Sequence, residues 1–265
     1  MIINILKNEI TKMIHSKKNY ILFIFLIFMI VSIIFIINSD KARIVNSQAI
    51  SMDKNRARDI LNMNSVLFLN YFSTEFIFRT VVPYFVFFMV AFSVDSFGED
   101  FFGGTMKYCI NLCENNTDIF IGKVLNLFVC AFFIVMSNIL LGFIISSFAF
   151  KTTFYGLGRI IFIYLSSIIP VVSFSLIIGL ISMFIQNKNI SFALGIMISI
   201  FLTISDRLTI TSKFSPIGVL GLMDKVRATN ISFGLLVTSN IVSCVYLIIA
   251  LFIGMNIFKN KEFNY

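Results

Sequence analysis

The 265-residue chain has no tryptophan, one histidine and three prolines, and Asp, Glu, Lys and Arg together make up only 13% of it. So few charges exclude an ordinary soluble domain, in which about 25% of residues are charged. The single histidine, His15, has no second candidate ligand nearby. It reads as a surface residue rather than a metal or catalytic group. The four cysteines, Cys109, Cys113, Cys130 and Cys244, form neither a CxxC pair nor a disulfide framework. They read as small buried hydrophobes. Without tryptophan, anchoring at a membrane interface falls to tyrosines such as Tyr20, Tyr155 and Tyr164. Enzyme signatures are lacking too. No G-x-x-x-x-G-K-[ST], H-E-x-x-H or G-x-S-x-G occurs, so the chain does not bind ATP through a P-loop of its own. The expectation is a protein that is not an enzyme and carries no cofactor.

What is there is hydrophobic: 58% of the residues, including 33 phenylalanines. These residues lie in blocks of about 20, the length that crosses roughly 30 Å of hydrocarbon. The fold class expected is an all-α integral membrane protein with one domain over residues 1–265. Its six spans are placed at about 20–37, 76–94, 124–150, 160–185, 190–205 and 233–258. Residues 1–16 read as an amphipathic helix lying in the interface, with Ile2, Ile3, Ile5, Leu6, Ile10, Met13 and Ile14 on one arc. Glu9 is the exception, a carboxylate inside that apolar arc. The net charge of +8 suits a neighbour of anionic headgroups. The basic residues sit between apolar blocks rather than on a soluble basic face, so no nucleic-acid partner is expected.

The connections carry the remaining polarity. Residues 38–75 read as a solvated, partly helical loop of mixed charge. Pro83 is placed to kink the second span, and Arg79 to snorkel from it. Pro170 lies in the fourth span among Ser166, Ser167, Ser173 and Ser175. Those hydroxyls are expected to satisfy the carbonyl freed by the proline or to bond across helices. The apolar piece 217–223 is too short to span and suits a re-entrant or interfacial segment. Six spans put both termini on one side. Lys17 and Lys18, just before the first span, place that side in the cytoplasm, because the first helix usually dominates orientation. The count of basic residues over the remaining loops points the other way. Ionisable groups are nearly missing from the span centres, where proton- or sodium-coupled carriers place their relays.

Between the second and third spans lies a polar segment, Phe97–Lys123. Glu99 and Asp100 open it, at a point where a following helix dipole favours carboxylates. Gly103 and Gly104 allow close approach of the backbone. Thr105 suits an N-cap. On a helix, Met106, Cys109, Ile110 and Cys113 share one face, while Lys107, Asn111 and Glu114 share another. The physics gives an acidic opening, a glycine bend and a short amphipathic helix flat on the membrane.

The order of second span, acidic pair, Gly-Thr, amphipathic helix and a Gly122-Lys123 step into the third span resembles the ABC-2 type permeases of ATP-binding cassette transporters. The resemblance covers nearly the whole chain, through the six spans, the N-terminal interfacial helix and the Pro-containing segment before the last span. It implies that this segment is a coupling helix docked on a separate ATPase subunit. Glu99, Asp100, Gly103, Gly104, Thr105, Met106, Lys107 and Ile110 would lie at or beside that joint. It also implies two copies of the ATPase, a second permease subunit, identical or related, and a plasma-membrane location with both termini cytoplasmic. Where the family often has a Pro-x-Ser-Arg-like turn, this chain reads Glu114-Asn115-Asn116-Thr117. The function expected is export of an amphipathic or lipid-like substrate, an antimicrobial peptide or a drug being examples. The alternative is a membrane scaffold or sensor that recruits a cytoplasmic partner through the same segment.

Overall fold

Long runs of Leu, Ile and Phe broken by few helix-stopping residues form helices. The computed structural model describes residues 2–45, 54–76, 83–100, 115–185, 187–206, 208–218 and 233–260. Among these there is no strand, only an isolated bridge between Asn64 and Lys151.

Helix α1 is Ile2–His15 and α2 is Lys17–Val45. They meet at Ser16, where the Asn19 side-chain amide donates to the Met13 carbonyl and so satisfies an orphan acceptor at the end of α1. Helix α3, Lys54–Leu61, precedes α4, Ser65–Phe76. Helix α5, Tyr84–Ser93, continues without a break into a π-helical turn, Val94–Glu99. Helix α6 is Asn116–Ala149, α7 Leu157–Ser166 and α8 Ile168–Ser182. Helix α9 is Lys188–Ser205, α10 Thr209–Phe214 and α11 Phe233–Asn260.

Among the described residues, five helical stretches are long and apolar enough to cross a membrane: Lys17–Val45, Asn116–Ala149, Leu157–Ser182, Lys188–Ser205 and Leu236–Lys259. They correspond to the expected first, third, fourth, fifth and sixth spans. The second is different. Its described part, Tyr84–Gly98, is apolar but shorter, and Phe76 is the last residue of α4 rather than the start of a span. Arg79 lies outside the described residues. Helix α4 also corrects the reading of 38–75 as a solvated loop. Phe68, Leu69 and Phe72 on it are fully buried. Phe68 stacks on Phe72 and tilts against Phe150, with ring centroids 6.0 and 5.8 Å apart. The apolar run Val66–Leu69 drives this burial, and averaging it with the charged stretch before it hides the signal.

Helix α8 sits at the centre, packed against α11, α5 and α6. Ser173 and Ser175 on it are buried and turn back onto their own helix, donating to the carbonyls of Pro170 and Val171. Ser166 and Ser167 likewise donate to Ile163 and Tyr164. The serines around Pro170 thus satisfy carbonyls one turn back. The bond across helices comes from elsewhere: Ser93 on α5 donates to the Ser175 carbonyl at 2.5 Å. The expected fourth span is broken at Ser167 into α7 and α8. Pro170, three residues on, has no N–H to return to the Ser166 carbonyl.

The two ends of the bundle are distinct. At one end Ser65 receives the chain after α6: its amide donates to the Lys151 carbonyl at 3.1 Å, and the Thr153 amide donates to its hydroxyl at 3.1 Å. Gly156 there takes φ +83° to start α7, a conformation most other residues avoid. At the opposite end lie α1, the π-helical turn and the start of α6. The re-entrant expectation is described as far as Gly218. Tyr246 donates to the Phe214 carbonyl and Ser243 to that of Pro216, at 2.8 and 2.9 Å. Ser243 lies ten residues into α11, about 15 Å along it at 1.5 Å per residue. Residues 214–216 therefore lie beside the body of the last helix, and Ile217 after them is fully buried.

Candidate functional site

The site starts from one backbone feature. The π-helical turn Val94–Glu99 inserts an extra residue into the register at the end of α5. Such turns re-aim side chains and are frequent at functional sites. Here the polar residues of one turn face two ways. Asp95 faces α2 and α9, where Lys18 and Lys188 reach its two carboxylate oxygens at 2.5 and 2.9 Å. Ser96 and Asp100 face α1 and α6.

The second group is the more buried. Lys123 is 1% exposed, Glu9 4% and Asp100 6%, so these charges are removed from water and stand only on their partners. The Lys123 ammonium pairs with Asp100, lies 3.4 Å from Glu9 and donates to the Ser96 carbonyl at 2.5 Å. Ser96 donates to the other Glu9 oxygen at 3.0 Å. Lys12, half exposed, closes the ring, 3.0 Å from Glu9 and 3.1 Å from Asp100. Two carboxylates meet two ammonium groups, and three elements contribute: α1, the π-helical turn with Asp100 after it, and α6.

Electrostatics agree with the geometry. Burial pushes the Asp100 pKa up, but Lys123 and then Lys12 outweigh it and hold the carboxyl below the usual aspartate range. Partial burial would lower the Lys12 pKa, yet the Glu9 and Asp100 charges hold it above the usual lysine range. Both groups are charged at neutral pH. A cavity of about 80 Å³ lies against this ring, bordered by Glu9, Lys12, Ser16, Asp95, Ser96 and Asn126. It joins the Asp95 and Asp100 groups through the same turn.

The local sequence explains the docking of α1. Glu9, out of place in the apolar arc, is the residue that meets Lys123. Gly122, one position earlier on α6, gives α1 its close approach: a Cβ there would sit 2.7 Å from Cγ2 of Ile5. Helix α6 begins at Asn116, eight residues before the span start expected at Val124. That puts Lys123 on the helix, two turns in, rather than at its edge.

Of the residues singled out from the sequence, the structure brings Asp100 into the ring and makes Glu99 the last residue of the π-helical turn. Gly103, Gly104, Thr105, Met106, Lys107 and Ile110 lie outside the described residues. Sequence reasoning missed Glu9, Lys12, Ser96 and Lys123 as one group, and Lys18, Asp95 and Lys188 as another. Glu9 within an apolar arc was the available signal. Among the described residues no group of three or more His, Cys, Asp or Glu is placed to hold a metal. His15 is exposed and turns back on the Thr11 carbonyl at 2.9 Å.

The arrangement links three elements through paired charges. A displacement of the chain just after Asp100 would be passed to α1 through Lys12 and to α6 through Lys123. No protein-family model matches the chain, and no curated protein matches it.

Proposed function

We propose that the chain is the permease subunit of an ATP-driven exporter, energised by a separate ATPase that docks on residues 101–114. Two ATPases and a second permease, identical or related, would complete the assembly in the cell membrane, with both termini cytoplasmic. The observation that carries this reading is the ring of Glu9, Lys12, Asp100 and Lys123. It ties the residue that opens the polar segment to two separate helices through buried charges. A segment that only connected two spans would have no need of such a tie. In this reading Asp100 is a positioning residue, and the docking surface is the glycine bend and helix after it. ATP-driven closure of the ATPases would press on that helix, and the ring would turn the push into a tilt of α1 and α6. The substrate class that fits the apolar, phenylalanine-rich helices is amphipathic or lipid-like.

The test is whether a neighbouring reading frame encodes a Walker-A ATPase and whether that ATPase co-purifies with this chain, with ATP turnover measured in the complex. Gly104→Trp places bulk at the joint and should lower both recovery and turnover by roughly tenfold or more, as loss of a central contact does. Asp100→Asn keeps the shape but weakens the ring. It should preserve recovery and lower transport-linked turnover. Unchanged recovery and turnover in both variants would remove the coupling reading and leave that of a scaffold or sensor.

A further inference from the structure

A cleft of about 440 Å³ opens between α2, α5 and α9, within the roughly 300–1,000 Å³ typical of sites that hold a small molecule. Its walls are aromatic and aliphatic. Phe25 packs on Tyr84 and Phe88 with ring centroids 5.1 and 5.7 Å apart, and Phe192 faces them from α9. Among the described residues that line it, the charged ones are Lys18 and Lys188. Both lie in the first turn of long apolar helices, at the same end of the bundle, held level by their shared Asp95. Each lysine side chain remains about one-third exposed.

This is a greasy slot with two ammonium groups at its mouth. We propose that it binds an anionic phospholipid of the adjoining leaflet. The phosphodiester would lie on Lys18 and Lys188, with one acyl chain between Phe25, Phe88 and Phe192. Charge complementarity selects this occupant: among the described residues lining the cleft the charged groups are both ammonium groups, partly exposed at its mouth, and an anionic headgroup complements them. A zwitterionic lipid brings its own cation and gains less. The flanking faces fit a lipid environment, since Ile24 and Phe28 on α2 and Met197 and Phe201 on α9 are exposed. The site needs the membrane but not the ATPase, so it stands or falls apart from the coupling reading.

The chain has no tryptophan, so Phe192→Trp supplies one indole in the cleft as a reporter. The purified full chain in detergent is titrated with brominated phosphatidylglycerol and, separately, with brominated phosphatidylcholine. Quenching by the anionic lipid is expected at roughly thirtyfold lower concentration, from about 1 kcal/mol for each of the two lysines. Lys18→Gln with Lys188→Gln should abolish the preference, and Lys18→Arg with Lys188→Arg should keep it, which separates charge from misfolding. Ala91→Phe, which fills the cleft without touching a charge, should weaken quenching by both lipids. Equal quenching by the two lipids, or a preference that survives in the double Gln variant, would overturn the proposal. Displacement of the lipid by inorganic phosphate would assign the lysines to a free anion instead. No quenching by either lipid, together with a dimer in solution, would assign the cleft to a second copy of this chain; both results overturn it.

Discussion

Lys123 is the residue on which the most depends. It is almost wholly buried and serves Asp100, Glu9 and the Ser96 carbonyl at once. A buried pair adds little net stability, but removing one partner strands the other charge and costs about 3–5 kcal/mol. Lys123→Met, close in length and without charge, should therefore lower the unfolding midpoint sharply in a thermal melt of the purified protein. Glu9→Gln combined with Lys123→Met removes one charge of each sign and should recover part of the loss. A double variant no better than Lys123→Met alone would mean that the two residues do not interact energetically. The pH dependence follows from the two shifted groups. Asp100, held below its usual range, stabilises the fold above about pH 4, the unfolded value, and loses this as pH falls through its folded value. Lys12, held above its range, stabilises below about pH 10 and loses this as pH rises through its folded value. The midpoint should be flat between about pH 5 and 9 and fall at the acid end, with a smaller acid fall in Asp100→Asn. An equal fall in that variant would place the acid sensitivity on other carboxylates.

At the scale of elements, the packing of α1 on α6 is the joint that would transmit motion in the proposed exporter. Gly122 sets their distance, and a branched side chain there meets Ile5. Gly122→Val should cost about 1–3 kcal/mol through overpacking, and Ile5→Ala in the same chain should restore part of it. The readout is proteolytic release of residues 1–16, which a displaced α1 would permit. Absence of release in Gly122→Val would show that α1 yields without leaving α6.

This joint also shows what the sequence could and could not reveal. Long apolar helices were legible because 20-residue apolar blocks have one structural outcome in lipid. Helix α4 was not, because its 12 residues are too few to stand out beside a charged neighbour. The break at Ser167 escaped notice because Pro170 sits inside an otherwise continuous apolar run. The acidic opening at Asp100 was legible as a feature, but not its partners: Glu9 and Lys123 lie 91 and 23 residues away, and only the folded bundle makes them neighbours. Glu9 in an apolar arc signalled that something charged must face it, without saying what.

At the scale of the whole molecule, one end of the bundle gathers two linked groups of charges. Asp95, Asp100 and Glu9 stand there against Lys12, Lys18, Lys123 and Lys188. At the other end Ser65 bonds the backbone of Lys151 and Thr153, and Asp206 is buried. The proposed exporter would use the linked charges as a bonded end where the push arrives, with apolar helices that tilt beyond it. The central claim is that the segment following Asp100 faces the cell interior and is covered there by a motor subunit. The most direct measurement is labelling of Lys107→Cys, with Cys109, Cys113, Cys130 and Cys244 replaced by alanine, using a membrane-impermeant maleimide. The account predicts no labelling in intact cells, labelling after permeabilisation, and protection when the ATPase is co-expressed. Labelling in intact cells, or an equal rate with and without the ATPase, would contradict it.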